Sequence, residues 1–279
     1  MTIFQAIILG LTQGATEFAP VSSSGHLILV PWLFGWSIVD DPALNKTFDV
    51  ALHMGTLAGA LIYFRADIWR YAQAFVRAIG HRRGGSVDER LAVALVVGTL
   101  PAMVAGATLE RVIQDRLGAP WLIATMLAVF GLVLVLVDAR APFRRRFDSI
   151  GPATGLFLGA AQALALQPGI SRSGITMTAA RAIGLDRESA ARFSFLLSLP
   201  VIFGAGVFAS TDLVRDGFHG YAAQFLWGTL SSAVSGFVVI WGLLRYLRRH
   251  DFRTFLYYRL AIAALVFGLI ATGVRQSTI

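Results

Sequence analysis

The sequence contains no cysteine, which excludes a disulfide framework and thiolate chemistry. Charge is scarce: Asp, Glu, Lys and Arg make up 14% of the residues, against 56% hydrophobic ones. An ordinary soluble domain carries about 25% charged residues, so that class is excluded too. Four stretches, 91–109, 120–137, 193–211 and 221–244, hold no Asp, Glu, Lys or Arg at all. Each approaches the roughly 20 residues that cross about 30 Å of hydrocarbon as a helix. The segment Met1–Gly10 lacks the basic region and small-residue cleavage site of a secretory leader, and is expected to be retained.

The charge that is present has a pattern. The net charge is +8, and the Arg residues gather between apolar runs. One cluster is Arg65, Arg70, Arg77, Arg82, Arg83 and Arg90; a second is Arg140, Arg144, Arg145 and Arg146; a third is Arg245, Arg248, Arg249 and Arg253. The alternate connections are poorer in positive charge, as the positive-inside rule requires of a multi-pass chain. Membrane lipids are therefore the expected surroundings, and no nucleic acid partner is expected.

The apolar runs predict six spans, at roughly 48–64, 91–109, 119–138, 191–211, 221–245 and 254–274. Arg259, inside the last, is expected to snorkel to the basic interface. Two further apolar regions, about 2–34 and 152–184, are each interrupted midway by Pro, Gly and Ser. The first break reads Pro20-Val21-Ser22-Ser23-Ser24-Gly25-His26, the second Pro168-Gly169-Ile170-Ser171-Arg172-Ser173-Gly174. A shift of 149 positions lays Gly10 on Gly159, Gln13 on Gln162, Ser22 on Ser171, Ser24 on Ser173 and Gly25 on Gly174. Each break opens a half with three spans behind it. Kinked spans would fit hydropathy equally well; the polar residues favour re-entrant hairpins.

The expected fold is thus an all-α polytopic membrane protein forming one domain with an inverted-topology repeat. Each half, about 1–140 and 150–279, holds a re-entrant helix-loop-helix and three transmembrane helices. Three spans between the hairpins send them in from opposite faces, the first from outside and the second from the cytoplasm. Their tips are expected to meet near the bilayer middle, where irregular backbone needs burial in protein or a wet cavity. Gly35–Thr47 is a candidate cover for the outer mouth, and Ile79–Glu89 reads as a mobile polar loop. The pattern Gly55-x-x-x-Gly59 suits close helix packing, within one chain or between the chains of a homodimer.

Glu17 is the only fully charged residue between Met1 and Val39, and Arg172 the only basic residue between Arg146 and Arg181. Ionised groups inside a membrane are expensive and usually functional. Gln13 stands one helical turn before Glu17, and His26 follows Ser23 by three residues. Two helix N-termini aimed at one point offer N–H groups and positive dipole ends to an anion. Arg adds a fork matched to phosphate. A carboxylate, an imidazole and a hydroxyl beside such a cradle are the parts of phosphoryl transfer. Glu17 and Gln13 could alternatively hold a divalent cation through oxygen.

The stretches Gln13–Phe18, Pro20–His26 and Pro168–Thr176 resemble the signature motifs of the undecaprenyl-diphosphatases of the bacitracin-resistance type. The resemblance extends along the whole chain, including Phe48–Gly59 and Arg192–Gly204. It implies hydrolysis of a prenyl diphosphate lipid, undecaprenyl diphosphate, to the monophosphate and inorganic phosphate, recycling the carrier for peptidoglycan synthesis. It also implies the bacterial plasma membrane, a site facing its outer side, and a divalent cation (Mg2+ or Ca2+). Carried over by position, the catalytic residues are Glu17, Ser23, His26 and Arg172. Gln13, Ser22, Ser24, Gly25, Ser171, Ser173, Gly174 and Thr176 are expected to bind substrate, with Glu17 and Gln13 on the metal. The family accepts Gln at the first motif position, which leaves one carboxylate here. A prenyl-phosphate transporter or flippase is the competing reading, since inverted repeats with broken helices also serve transport.

Overall fold

The computed structural model describes residues 1–36, 42–80 and 85–277. Among them are eleven α-helices and no β-strand. In chain order these are α1 (Ile3–Glu17), α2 (Ser23–Phe34), α3 (Pro42–Tyr63), α4 (Arg65–Gly80), α5 (Val87–Leu117) and α6 (Pro120–Arg140). Then follow α7 (Pro152–Ala163), α8 (Arg172–Ala182), α9 (Arg187–Asp216), α10 (Ala222–Leu247) and α11 (Arg253–Ala271). Five contain stretches long and apolar enough to cross a membrane, in α5, α6, α9, α10 and α11. A sixth appears when α3 and α4, bent by 83° at Phe64, are taken together. All six expected spans therefore fall on helices.

The distribution of side chains is that of a chain solvated by lipid. Large apolar residues such as Leu132, Val234 and Leu260 face outward, while Gln13, Glu17, Thr56, Gln162 and Arg181 are buried inside. In water, apolar exposure on this scale would drive association; toward acyl chains it carries no such penalty.

The two halves repeat one order, a short helix pair and then three long helices, with α4 an addition to the first half. Their packing is exchanged, because α1 lies along α10 of the second half and α7 along α5 of the first. Glycine makes both approaches possible. A Cβ at Gly10 would fall 2.2 Å from the Gly228 carbonyl oxygen, and one at Gly159 would fall 1.9 Å from that of Gly98. Gly10 and Gly159 are the pair related by the 149-residue shift.

Four expectations change. The Arg-rich stretch after the first span is not a loop: α4 is a helix that buries Tyr71 and Ala74 and exposes Trp69, Val76 and Ile79. Apolar exposure combined with Arg65, Arg70 and Arg77 is the composition of a helix lying at the membrane interface. Arg259 does not snorkel. It is 1% exposed, and donates to the carbonyls of Ile170 at 3.0 Å and Leu127 at 3.4 Å. Gly55 and Gly59 pack within the chain on α10, against the carbonyls of Thr229 and Ala233, so their pattern carries no contact between chains. Finally, the connections between the charge-free runs, expected from hydropathy as outer loops at 110–118 and 212–220, are largely helical: α5 continues to Leu117 and α9 to Asp216. Of the expected cover and the expected polar loop, residues 37–41 and 81–84 lie outside the described residues.

Members of all three Arg clusters, far apart in sequence, are brought together. Arg70, Arg145, Arg146 and Arg248 line a single cavity of about 780 Å³.

Candidate active site

Both hairpins turn on a serine in an unusual backbone conformation. Ser22 has φ 73° and Ser171 φ 77°, a region that L-residues seldom enter and that costs about 1–3 kcal/mol. Each serine caps the helix that follows: Ser22 Oγ accepts from the Gly25 N–H at 3.3 Å, Ser171 Oγ from that of Gly174 at 3.1 Å. The repeat seen in the letters is thus a repeat of strained caps. The remaining first-turn N–H groups of α2 and α8 have no helical acceptor, and remain available to an anion.

The breaks are also tied to each other. The Gly169 N–H donates to Ser22 Oγ at 3.0 Å, and Ser173 Oγ donates to the Ala19 carbonyl at 2.9 Å. The first bond has no mirror image, because the 149-residue shift places Pro20, which lacks an N–H, on Gly169. Gly169 itself sits at φ 96°, with a would-be Cβ only 2.6 Å from the Ile123 carbonyl oxygen. No side chain fits there.

Glu17, the last residue of α1, is the centre of the arrangement. Its Oε2 accepts from Gln13 Nε2 at 2.9 Å and from Ser23 Oγ at 2.5 Å; its Oε1 accepts from Arg172 Nη2. Ser23 and Arg172 are the first residues of α2 and α8, and the same shift relates them. Two equivalent positions therefore carry a hydroxyl and a guanidinium onto one carboxylate. A cavity of about 150 Å³ opens beside them, lined by Glu17, Ser22, Ser23, Ser24, Ser171 and Arg172, and also by His53 and Gln162.

The other expected site residues divide. Gly25 and Gly174 serve the caps. Ser173 and Thr176 turn onto backbone carbonyls, Thr176 Oγ1 donating to that of Arg172 at 2.7 Å. His26 is not brought to the cavity: its Nδ1 meets the Ser22 carbonyl at 2.7 Å, and its Nε2 meets the Tyr258 hydroxyl at 2.8 Å. Its ring stacks on Tyr258 with centroids 5.5 Å apart. Both nitrogens are engaged in holding the turn. The imidazole that does face Glu17 is His53 on α3, with Nε2 3.6 Å from Oε2 and Nδ1 held by the Asp49 carbonyl at 2.8 Å. Sequence reasoning missed His53. Its signal was a lone histidine in an apolar span, inside the Phe48–Gly59 stretch that carries the family resemblance.

A divalent cation finds a partial donor set. Among the described residues no three His, Cys, Asp or Glu side chains converge. Glu17 supplies one carboxylate, and the buried Gln13 Oε1 has no hydrogen-bond partner. Glu17 lines the cavity and Gln13 does not, so the side chains that face the cavity offer a hard cation one carboxylate, with phosphate oxygens and water left to complete its shell.

Fold and site together define a class: a multi-pass membrane protein, helical and without strands among the described residues, in which two broken helices enclose a cavity lined by Glu17, Arg172 and four serines. The sequence matches the family described as bacitracin resistance protein BacA over residues 6–265, and the chain belongs to that family. Curated relatives cover it almost end to end. It is 47% identical to the undecaprenyl-diphosphatase of Geobacter sulfurreducens, over 97% of this chain and 99% of the relative. Identity to the undecaprenyl-diphosphatase of Pelotomaculum thermopropionicum is 44%, over 97% and 98%. For that of Rubrobacter xylanophilus it is 42%, over 97% and 99%.

Proposed function

We propose that the chain hydrolyses undecaprenyl diphosphate to undecaprenyl phosphate and inorganic phosphate, returning the lipid carrier to peptidoglycan synthesis. The observation that carries this reading is the meeting of Ser23 and Arg172 on Glu17, at two helix N-termini beside one cavity. Transport would need an anion site; it would not need a hydroxyl hydrogen-bonded to a carboxylate.

Arg172 has five N–H donors. One is used on Glu17 and the others, with the first-turn N–H groups of α2 and α8, hold the diphosphate and the charge that grows on it. Glu17 takes a proton from Ser23 Oγ, or from a water that Ser23 orients. The oxygen so activated attacks the terminal phosphorus, the anhydride P–O bond breaks, and undecaprenyl phosphate leaves. A water that attacks directly yields inorganic phosphate in the same step. A phosphorylated Ser23 is instead cleaved at its P–O bond by a second water, which releases inorganic phosphate and restores the hydroxyl. His53 backs Glu17 from the α3 side. A bound Mg2+ or Ca2+, held by Glu17 and the phosphates, would neutralise part of the substrate charge. With the Arg clusters at the cytoplasmic face, the first hairpin enters from the outer side of the plasma membrane, and the site opens there.

The test is inorganic phosphate release from a prenyl diphosphate by purified protein in detergent, with and without a chelator. Wild type should release phosphate, more slowly with the chelator. Arg172→Ala should lose at least about 10³-fold, the scale of transition-state arginines in phosphoryl transfer. Wild-type turnover by Arg172→Ala would sink the assignment.

A further inference from the structure

One polar side chain at the cavity has no hydrogen-bond partner among the described residues. Gln162, on the last turn of α7, is 2% exposed, and neither its Nε2 nor its Oε1 has a hydrogen-bond partner among the described residues. It lines the cavity with Glu17, Ser23 and Arg172. Buried amides are almost always hydrogen-bonded, because leaving water uncompensated destabilises the fold. A carboxamide with donor and acceptor both idle, beside a cluster built for phosphate, is therefore waiting for a ligand.

The repeat explains how it came to be unpartnered. Gln162 is the counterpart of Gln13, whose Nε2 donates to Glu17 one turn further on. The counterpart of Glu17 is Leu166, which also lines the cavity but accepts no hydrogen bond. The second half thus keeps the amide of this pair and lacks the carboxylate. An anion arriving in the cavity stands where that carboxylate is missing.

We propose that Gln162 is a substrate-binding residue of this site, its Nε2 donating to an oxygen of the terminal phosphoryl group and its Oε1 accepting from a water held beside it. The proposal rests on the hydrolytic reading above, and its test is chosen to fail separately from that reading. Gln162→Met keeps the shape of the side chain and removes both polar ends. It should lower kcat/KM by about 10- to 100-fold, the value of a hydrogen bond to a charged group. Its melting temperature without substrate should equal or exceed wild type, since an unsatisfied amide has gone. Wild type is expected to melt at a higher temperature with inorganic pyrophosphate, and in Gln162→Met that rise should be reduced. Gln162→Glu, of the same shape but anionic, should lose at least as much activity.

Wild-type kcat/KM in Gln162→Met, beside an inactive Arg172→Ala, would overturn the proposal and leave the hydrolytic reading intact. So would a loss of activity in Met and Glu variants that only follows a fall in melting temperature, which would mark Gln162 as a packing residue. Absence of phosphate release by wild type would instead remove the hydrolytic reading itself.

Discussion

Glu17 distributes two oxygens among Gln13, Ser23 and Arg172, and His53 stands 3.6 Å off as a fourth neighbour. The two histidines near this group are placed differently, His53 against Glu17 and His26 between the Ser22 carbonyl and Tyr258. His53→Ala takes away a side chain that confines the carboxylate, and slight misplacement of a reacting group can cost about 10²-fold. We expect kcat to fall by about that factor with the melting temperature unchanged. His26→Ala removes the brace between the Ser22 carbonyl and Tyr258, and should show first as a lower melting temperature. The opposite pattern would return the reactive role to His26. Glu17, Ser23 and Arg172 were legible in the sequence because each is a polar residue where hydropathy demands an apolar one. His53 and Gln162 were not. The sequence held a trace of each, a lone histidine in an apolar span and the pairing of Gln162 with Gln13. Their meaning comes from the cavity they line, which spacing along one helix does not show.

At the scale of elements, the inner contacts of this protein are made by absent side chains. A methyl at Gly159 would meet backbone, the Gly98 carbonyl, which has nowhere to go. Gly159→Ala should therefore push α7 off α5 and cost about 1–3 kcal/mol, with activity falling as the second break moves. Gly242→Ala is the control. Nothing lies within 4 Å of its would-be Cβ, so the same change should leave stability unchanged or raise it by up to about 1 kcal/mol. Comparing the two melting temperatures checks the argument. Hydropathy located the spans well, since length and the lack of charge define them. It missed α4, because arginines on an interfacial helix lower its mean hydropathy to that of a loop.

Taken whole, the chain is two halves that each complete the other. The first supplies Glu17 and Ser23, the second Arg172, and each half's short helix packs against a long helix of its partner. The 149-residue shift made the repeat visible in the sequence. The exchange of packing was not visible, because it depends on which glycines touch which helices. A consequence is that a chain cut between α6 and α7 should still assemble. Two co-expressed fragments are expected to restore phosphate release, and either one alone to show none. Activity in the first fragment by itself would refute the shared site.

The pair between Glu17 and Arg172 also sets a clock on synthesis. Arg172 leaves the ribosome 155 residues after Glu17, a delay of about 8–30 s at roughly 5–20 residues per second. Throughout that interval the carboxylate is in or near the bilayer without the guanidinium that neutralises it. During that interval the first hairpin seats its carboxyl either protonated or at a cost of about 2.5–3.5 kcal/mol as an ion, and the second hairpin removes that cost when it arrives.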